Sequence, residues 1–298
     1  MKKKKSVNCS CGNTVRRERR IINGYKIYEC KRCGLLMTKL PDSYNLTESN
    51  KDYYSDDYFN NYVARESYLR KRFLMKINKI ESYKKSGGNL LDVGCSTGLF
   101  LKVVRVNSKR KWRLFGIDMN QNAIDIARAS VNANFYHTSL QDARFKDNFF
   151  DCITCFDVLE HDSKVNENLQ VIRRILKRNG LLVIQLPNHR SMMALLCGDN
   201  WDWWSVPDHI LHFSPTVLSK ILEDNGFIIK RLFTWEPARE FVENVRGTIK
   251  KKVTPLMSLN RVLNKLSIVP LYFLWIILKP IEIIFKIGGL TVIYVSKP

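Results

Sequence analysis

The sequence has few acidic residues and no apolar run long enough to cross a membrane. Asp and Glu number 28 against 49 Lys and Arg, which gives a formal net charge of +21. The longest apolar run, residues 268–278, is shorter than the roughly 20 residues that a spanning helix needs. No apolar stretch follows the basic start at residues 1–5, so we expect no secretory signal. These features predict a cytoplasmic protein with an anionic partner: nucleic acid, an acidic membrane surface or a phosphate-bearing substrate.

The sequence also lacks the biased composition of disordered or fibrous chains. Hydrophobic residues make up 45% and charged residues 26%, as in ordinary globular proteins, and 298 residues can bury one α/β core. We predict a zinc-ribbon-like segment at residues 1–40, a helical and aromatic lid at 41–86, and an α/β domain at 87–298. Within this domain, residues 238–288 are predicted to form a basic and apolar helical insertion.

Four of the eight cysteines form two pairs near the N-terminus, each followed by glycine: Cys9-Ser10-Cys11-Gly12 and Cys30-Lys31-Arg32-Cys33-Gly34. Zinc binds four thiolates in a tetrahedron, and glycine permits the tight turn that such a pair requires. The first pair has one intervening residue instead of the usual two, which distorts that turn. The pattern predicts a structural zinc held by these four cysteines, and the alternative is a metal-free β-hairpin or a degenerate site.

From Asn89 onward, short apolar runs alternate with amphipathic helices, which is typical of a parallel sheet with crossover helices. One helix has Val165, Leu169 and Ile172 on one face and is predicted to end at Gly180, and a second runs from Pro215 to Gly226. The pattern predicts strands at residues 90–93, 114–117, 134–137, 152–156, 181–186, 228–233 and 290–295.

The first strand leads into a glycine-containing turn, Asp92-Val93-Gly94-Cys95-Ser96-Thr97-Gly98. Glycine lets a ligand approach the backbone amides, and the following helix N-terminus favours a carboxylate or phosphate. A dinucleotide site requires Gly-x-Gly-x-x-Gly, whereas the glycines here are four residues apart and Leu99 follows, so a nicotinamide cofactor is excluded. Asp118 ends the second strand about 20 residues later, where a carboxylate can accept hydrogen bonds from both ribose hydroxyls. The alternative is a solvated aspartate at a strand end.

These motifs resemble the class I S-adenosylmethionine-dependent methyltransferases, in the branch that includes ubiquinone-biosynthesis O-methyltransferases. The resemblance extends over residues 89–235 and the closing strand, through the segments 156–161, 176–182 and 207–215. It implies a Rossmann-like, doubly wound α/β sheet of seven strands with the last strand antiparallel. The N-terminal cysteine region also resembles the zinc-ribbon prefix of some relatives.

The resemblance implies that nine residues bind or orient S-adenosylmethionine: Asp92, Gly94, Cys95, Gly98, Asp118, Met119, Leu140, Gln141 and Phe156. In such proteins the glycine turn lines the methionine part, Asp118 and Met119 hold the ribose, and Leu140 and Gln141 flank adenine. The main-chain carbonyl of Phe156 would accept from the cofactor's amino group, and Asp92 would orient the turn.

One position departs from the pattern of many relatives. They have aspartate where this chain has Ser139, so the resemblance predicts that backbone amides hold the adenine here.

Two histidines are candidates for a general base, His161 after the fourth strand and His209 in the segment before Pro215. A sulfonium methyl is already activated, so the protein mainly aligns the acceptor, and a base removes a proton from an oxygen or nitrogen acceptor. Either histidine could instead be a helix cap or a core residue. Asp157, Glu160 and His161 resemble a cation site of some quinone O-methyltransferases, but the same run occurs in relatives without metal, so we do not predict a divalent cation.

The region before the last strand suggests what the protein contacts. Lys250, Arg261 and Lys265 precede the apolar residues 268–278, and such a helix can lie on an anionic membrane. The alternative is a buried helical hairpin or a dimer interface. The run Trp201-Asp202-Trp203-Trp204 indicates either an aromatic wall for a sugar, ring or lipid, or indoles that cover a sheet edge.

We therefore predict methyl transfer to an oxygen, or a nitrogen, of a small-molecule, sugar or lipid-linked acceptor. The first alternative is an RNA methyltransferase that docks through its basic surface and zinc ribbon. Against it, the fourth strand is followed by Phe156-Asp157-Val158-Leu159 and not by the Asn/Asp-Pro-Pro-Phe/Tyr run of many base-amino methyltransferases. The second is a non-catalytic scaffold, against which Gly94, Gly98 and Asp118 argue.

Overall fold

The computed structural model describes residues 7–15, 17–41, 44, 65–253 and 269–298. Most of the predicted aromatic lid therefore lies outside the described residues, as do Arg261 and Lys265. The described strands are β1 Val7–Asn8, β2 Thr14–Val15, β3 Glu18–Ile22, β4 Tyr25–Glu29, β5 Leu36–Lys39, β6 Gly88–Val93, β7 Trp112–Asp118, β8 Asn134–His137, β9 Phe150–Phe156, β10 Leu176–Pro187, β11 Leu211–His212, β12 Ile228–Trp235 and β13 Leu290–Ser296.

The helices alternate with these strands through the second half of the chain, as the sequence pattern predicts. They are α1 Glu66–Tyr83, α2 Leu99–Asn107, α3 Gln121–Ser130, α4 Val165–Ile175, α5 Met192–Cys197, α6 Pro215–Asp224, α7 Ala238–Val253 and α8 Val269–Phe285.

Seven strands form the main sheet in the order β12-β13-β10-β9-β6-β7-β8. β6 pairs in parallel with β7 and β9, and β7 pairs in parallel with β8. The last strand runs the other way. Near the start of β10, the Asn179 amide donates to the Lys297 carbonyl at 2.9 Å, and beyond its end the Asn188 amide donates to the Gly289 carbonyl at 2.7 Å. The predicted Rossmann-like sheet with an antiparallel last strand is confirmed.

The central strands are buried on both faces. Leu90, Leu91, Ile153 and Val183 are all 0% exposed, as expected for parallel strands that helices cover on both sides. This burial explains the short apolar runs within these strands: Leu90-Leu91 in β6, Cys152-Ile153 in β9 and Leu181–Ile184 in β10.

One predicted boundary is wrong. The helix that begins at Val165 ends at Ile175, and Gly180 lies within β10 and does not terminate the helix. The Lys297 amide donates to the Gly180 carbonyl at 3.3 Å, so the closing strand holds this segment extended. That partner is more than a hundred residues away, and helical periodicity carries no information about it.

The chain divides into two compact units. The sheet unit comprises Pro41–Ile184, Ile221–Arg231 and Ile293–Pro298. The ribbon unit comprises Met1–Leu40, Gln185–Lys220 and Leu232–Val292. The ribbon unit contains a second, antiparallel sheet in the order β11-β5-β4-β3.

The tryptophan run contributes to the core of the ribbon unit. Trp201 and Trp204 are each 2% exposed, and their rings meet edge to face with centroids 5.6 Å apart. They pack in one cluster with Ile27 of β4 and Phe241 of α7. These two indoles are therefore core residues and do not line an exposed aromatic wall.

Among the helices that the structure describes, none combines the length and apolarity needed to cross a membrane.

Candidate cofactor and active site

The turn between β6 and α2 has a backbone conformation that requires glycine. Gly94 has a φ of +68° and Gly98 a φ of +74°, a region that L side chains rarely adopt. A Cβ at Gly94 would lie 2.4 Å from Val158 Cγ2, so the position also lacks room for a side chain. The amides of Gly94 and Cys95 donate to the Ile117 carbonyl at 2.9 and 3.0 Å. The turn is thus fixed to the end of β7.

Asp118 lies beside this turn with its carboxylate buried. The residue is 9% exposed, and burial raises its pKa. Its Oδ2 accepts the Ser96 amide at 2.8 Å and its Oδ1 accepts the Asn120 amide at 2.9 Å. A carboxylate oxygen has two lone pairs, so each oxygen keeps one further acceptor position. A buried carboxylate with this remaining capacity, beside a bare glycine backbone, fits the paired hydroxyls of a ribose.

Asp92, which is predicted to orient the turn, has a buried carboxyl group and lies below the turn. It is 4% exposed, and Thr154 Oγ1 on β9 donates to its Oδ1 at 2.6 Å. Burial raises the pKa of Asp92 to about 7. The hydrogen bond links the neighbouring strands β6 and β9 directly below the turn.

The residues predicted to surround the ribose and adenine lie at the ends of β7 and β8. Met119 is 61% exposed and Leu140 is buried, while Gln141 is exposed. His137 Nε2 donates to the Met119 carbonyl at 2.8 Å and ties the two strand ends together. Ser139 Oγ accepts the Asp142 amide at 3.1 Å. The hydroxyl that replaces the aspartate of many relatives is therefore used within its own turn.

Phe156, at the end of β9, belongs to an aromatic cluster with Phe73 and Phe100. Its ring centroid lies 6.2 Å from that of Phe73 and 5.1 Å from that of Phe100. Lys76 of α1 places its Nζ 3.9 Å from the centre of the Phe156 ring. The sequence pattern predicts only a helical and aromatic lid at residues 41–86 and does not single out Lys76. The available signal was Arg72 and Lys76, four residues apart on one helix face that also carries apolar residues.

The two candidate bases belong to different units. His161 closes a 3₁₀ turn, Leu159–His161, in the sheet unit and is partly buried. In the ribbon unit, His209 Nδ1 lies 2.9 Å from the Trp203 carbonyl. A carbonyl only accepts, so Nδ1 carries the proton and Nε2 has the lone pair that a base needs.

His212 is a core residue. It is 4% exposed and lies 2.9 Å from Thr38 Oγ1, whose own hydrogen goes to the His209 carbonyl.

Glu160 precedes His161 in the same turn. It is 2% exposed, and both of its carboxylate oxygens are buried without a hydrogen-bond partner among the described residues. Burial, with the negative charge of Asp157, raises its pKa well above the usual value.

The four N-terminal cysteines come together in the ribbon unit. Cys9 and Cys33 have their sulfurs 3.5 Å apart, as do Cys11 and Cys30, and all four sulfurs lie within 4.8 Å of one another. Tetrahedral zinc with Zn–S bonds of about 2.3 Å places its sulfurs about 3.8 Å apart, so this donor set fits zinc.

The shorter first cysteine pair does not prevent a matching turn. The Gly12 amide donates to the Cys9 carbonyl at 2.8 Å, and the Gly34 amide donates to the Cys30 carbonyl at 2.7 Å. Both glycines have a φ of +80°, so each pair ends in a left-handed glycine in spite of its different spacing.

The fold and the glycine turn with its neighbouring carboxylate define the class: this is a class I S-adenosylmethionine-dependent methyltransferase. Its family follows from the sequence profile of the family described as "Methyltransferase domain", which matches residues 65–231. The match covers more than half of the chain, and the chain belongs to this family.

Individual relatives are distant. A ubiquinone biosynthesis O-methyltransferase from Rickettsia typhi is 23% identical over 182 residues, which cover 57% of this chain and 72% of that protein. An uncharacterized protein from Methanocaldococcus jannaschii is 28% identical over 151 residues, 50% of this chain and 62% of that protein. The solved structure of a methyltransferase from Archaeoglobus fulgidus is 19% identical with a TM-score of 0.53, covering 80% of this chain and 99% of its own. At this identity, the similarity to the solved structure shows the fold alone.

Proposed function

We propose that the chain transfers the methyl group of S-adenosylmethionine to an oxygen or nitrogen of a small-molecule, sugar or lipid-linked acceptor. The observation that carries the proposal is the buried Asp118 carboxylate, which keeps acceptor capacity beside the Gly94–Gly98 turn. The name of the Rickettsia typhi relative, a ubiquinone biosynthesis O-methyltransferase, supports an acceptor of this kind.

In this proposal the sheet unit holds the cofactor. Asp118 accepts from the ribose hydroxyls, the bare backbone of Gly94 and Gly98 admits the methionine part, and Leu140 covers the adenine. The cofactor supplies a methyl group on a sulfonium, which needs no further activation. The chain's own task is then to align the acceptor, exclude water and remove a proton.

We propose His209 as the first candidate for proton removal and His161 as the second. His209 is favoured because the Trp203 carbonyl fixes the tautomer in which Nε2 carries the lone pair.

A screen with radiolabelled S-adenosylmethionine tests the proposed acceptor class. Quinols, sugar nucleotides, a bacterial lipid extract and RNA would each be incubated with the protein. We expect methyl incorporation in the small-molecule or lipid fraction and none in RNA. Incorporation confined to RNA would replace this proposal with the RNA methyltransferase alternative, and incorporation in no fraction would favour the scaffold alternative.

We further propose that α8 lies on an anionic membrane surface. Leu271, Trp275 and Leu278 are partly buried and pack against the core of the ribbon unit, and Trp275 Nε1 donates to the Glu236 carbonyl at 2.9 Å. The rest of the helix exposes apolar side chains at 43 to 71% of their surface: Val269, Phe273, Leu274, Ile276, Ile277, Ile281, Ile283, Ile284 and Phe285.

The charged residues of α8 are on its inner side. Glu282 is 1% exposed, and Lys279 Nζ lies 4.0 Å from the centre of the Trp275 ring. A helix that faces water shows the opposite distribution, with polar residues outside. Because α8 is attached to its unit along its length, the helix would lie parallel to the membrane plane, with its apolar face inserted into the bilayer.

The neighbouring charges favour an anionic lipid surface over another partner. Lys286 follows α8 and is exposed, as is Lys250 on α7, the helix that packs against α8. Lys251 on α7 is also exposed but forms an ion pair with Asp202 at 3.2 Å. Each basic side chain near an anionic leaflet contributes about 1 kcal/mol to binding.

Vesicle flotation tests this surface. We expect the wild-type protein to float with phosphatidylglycerol-containing vesicles, and the double variant Ile277→Asp, Ile284→Asp to float at least about tenfold less, because two isoleucines that enter the bilayer contribute several kcal/mol to binding. Ile126→Asp, at an exposed isoleucine of α3, is the matched control and should float like the wild type. Equal flotation of the double variant would contradict the proposal. The proposal would also be contradicted if the wild-type protein bound no vesicles and formed a dimer that the double variant abolished.

A further inference from the structure

An arginine of β3 lies over a buried indole of the ribbon unit, and its charge is poorly compensated. The guanidinium carbon of Arg20 is 4.9 Å from the centre of the Trp204 ring, and Trp204 is 2% exposed. Among the contacts that the structure describes, the only acidic partner of Arg20 is Asp199, whose Oδ1 lies 3.4 Å from Nη1. The Asp199 side chain is 67% exposed, so water screens this ion pair and its contribution is small. The stacked guanidinium therefore keeps N–H donors for a further anion.

Two histidines pack around the same indole. The ring centroids of His189 and His212 lie 6.3 and 5.0 Å from that of Trp204. His212 is 4% exposed, and His189 Nε2 is buried without a hydrogen-bond partner among the described residues. Trp204 thus brings Arg20 and both histidines together around one ring.

The electrostatic environment of these two histidines is positive. Burial, followed by the charges of Arg190 and Arg20, lowers the pKa of His189 to about 4. Burial also lowers the pKa of His212 well below its usual value, and His209, His189 and Arg20 act in the same direction. The charged groups that act most strongly on both rings are cationic. Both histidines are therefore neutral at pH 7, and the two arginines give this part of the ribbon unit a positive potential.

The first candidate base belongs to the same cluster. Thr38 Oγ1 donates to the His209 carbonyl at 3.0 Å and lies 2.9 Å from His212 Nε2. His209 Nδ1 in turn lies 2.9 Å from the carbonyl of Trp203, the residue before Trp204. Arg20 and the proposed base are thus attached to one set of packed rings and hydrogen bonds within the ribbon unit.

We propose that Arg20, together with Arg190, binds a phosphate group of the methyl acceptor. The inference rests on the proposed function, because it assigns the class of the acceptor. A guanidinium binds phosphate through two parallel N–H···O hydrogen bonds. Phosphate suits the position better than a carboxylate, because its second negative charge compensates the second guanidinium. The acceptor is then a phosphorylated compound, such as a sugar phosphate, a sugar nucleotide or an isoprenoid phosphate.

Calorimetric titration with three phosphate compounds tests the inference and distinguishes these sources. Protein saturated with S-adenosylhomocysteine would be titrated with glucose 1-phosphate, uridine diphosphate glucose and farnesyl phosphate, and with 4-hydroxybenzoate as a carboxylate for comparison. We expect the wild type to bind at least one phosphate compound, and the compound that binds most tightly identifies the source. R20Q should bind that compound at least about tenfold more weakly, because it loses charge-assisted hydrogen bonds.

The matched control is R19Q, which removes the same charge from the neighbouring position of β3. Arg19 Nε lies 3.7 Å from Glu29, and R19Q should bind the phosphate compound like the wild type. R20K should bind it more weakly than the wild type, because an ammonium lacks the planar fork of donors. R190Q, at an exposed arginine, should also weaken binding without disturbing the stack on Trp204. Wild-type melting temperatures of these variants would show that they are folded.

A second readout depends on the anion itself. A phosphate bound at Arg20 should raise the pKa of His189, because a nearby negative charge favours the protonated ring. Nuclear magnetic resonance of the His189 ring protons, identified with a His189→Gln variant, measures this change with and without the phosphate compound. An unchanged pKa of His189 in the saturated complex would place the phosphate elsewhere and overturn the inference.

Three results of the titrations would also overturn it. These are equal losses of affinity in R19Q and R20Q, tighter binding of 4-hydroxybenzoate than of every phosphate compound, and a wild type that binds S-adenosylhomocysteine but none of the phosphate compounds. Wild-type protein that does not bind S-adenosylhomocysteine would instead overturn the proposed function, and this inference with it.

Discussion

Replacing Asp118 by Asn is expected to weaken S-adenosylhomocysteine binding by about 100-fold or more. The carboxylate accepts the Ser96 and Asn120 amides and keeps one acceptor position on each oxygen. An amide has one accepting oxygen with two lone pairs, and a backbone amide already occupies one of them at this position, so Asn cannot accept from two ribose hydroxyls. Hydrogen bonds to charged groups contribute about 1.5–3 kcal/mol each, and about 1.4 kcal/mol corresponds to a factor of ten in affinity. Calorimetric titration of S-adenosylhomocysteine measures the change directly.

The control for this variant is Asp125→Asn, at an exposed aspartate of α3, which should bind the ligand like the wild type. Thermal unfolding of both variants shows whether the lost backbone hydrogen bonds also destabilise the turn. Affinity of Asp118→Asn within threefold of the wild type would contradict the assignment of this carboxylate to the ribose.

The second large effect is expected at the N-terminal cysteines, which we propose hold a structural zinc. Purified wild-type protein should contain about one equivalent of zinc, and Cys30→Ser should contain almost none. Structural zinc contributes apparent binding free energies of about 10–16 kcal/mol in small domains. Its loss should therefore lower the melting temperature clearly and expose the ribbon to proteolysis. Metal analysis by mass spectrometry and limited digestion measure the two results.

Cys197→Ala is the matched control, because Cys197 is a buried cysteine of the same unit outside the cluster. It should keep its zinc and lose only the packing of one small side chain. Wild-type protein that binds no zinc, even when refolded with the ion, would support the metal-free hairpin that the one-residue spacing of Cys9 and Cys11 left open.

The cofactor turn was accessible from sequence because its requirements are local. Gly94 and Gly98 occupy left-handed backbone positions, and few residues other than glycine adopt these at low cost. The spacing to Asp118 follows from one helix between two adjacent parallel strands. Similarly, two cysteine pairs that are each followed by glycine predict a zinc site from the chemistry of zinc and tight turns alone.

Other features depend on partners distant in the chain. Lys76 reads as one more lysine in a basic helix, and only the packing of α1 against Phe156 and Phe100 shows that it is buried. Leu176–Gly180 reads as the end of a helix, and its pairing with the segment around Lys297 makes it strand. Trp201 and Trp204 could have formed an exposed wall, but β4 and α7 cover them.

The sequence alone determined the fold class, the methyltransferase family resemblance, the glycine turn with Asp118 and the cysteine set, because short-range spacing and backbone conformation dictate each of them. Only the tertiary structure decided which charged and aromatic side chains are buried: Lys76 and Glu282 inside, the apolar face of α8 outside. Burial depends on which surfaces meet after the chain has folded back on itself, and hydrophobic periodicity within one segment cannot specify the surface that it will contact.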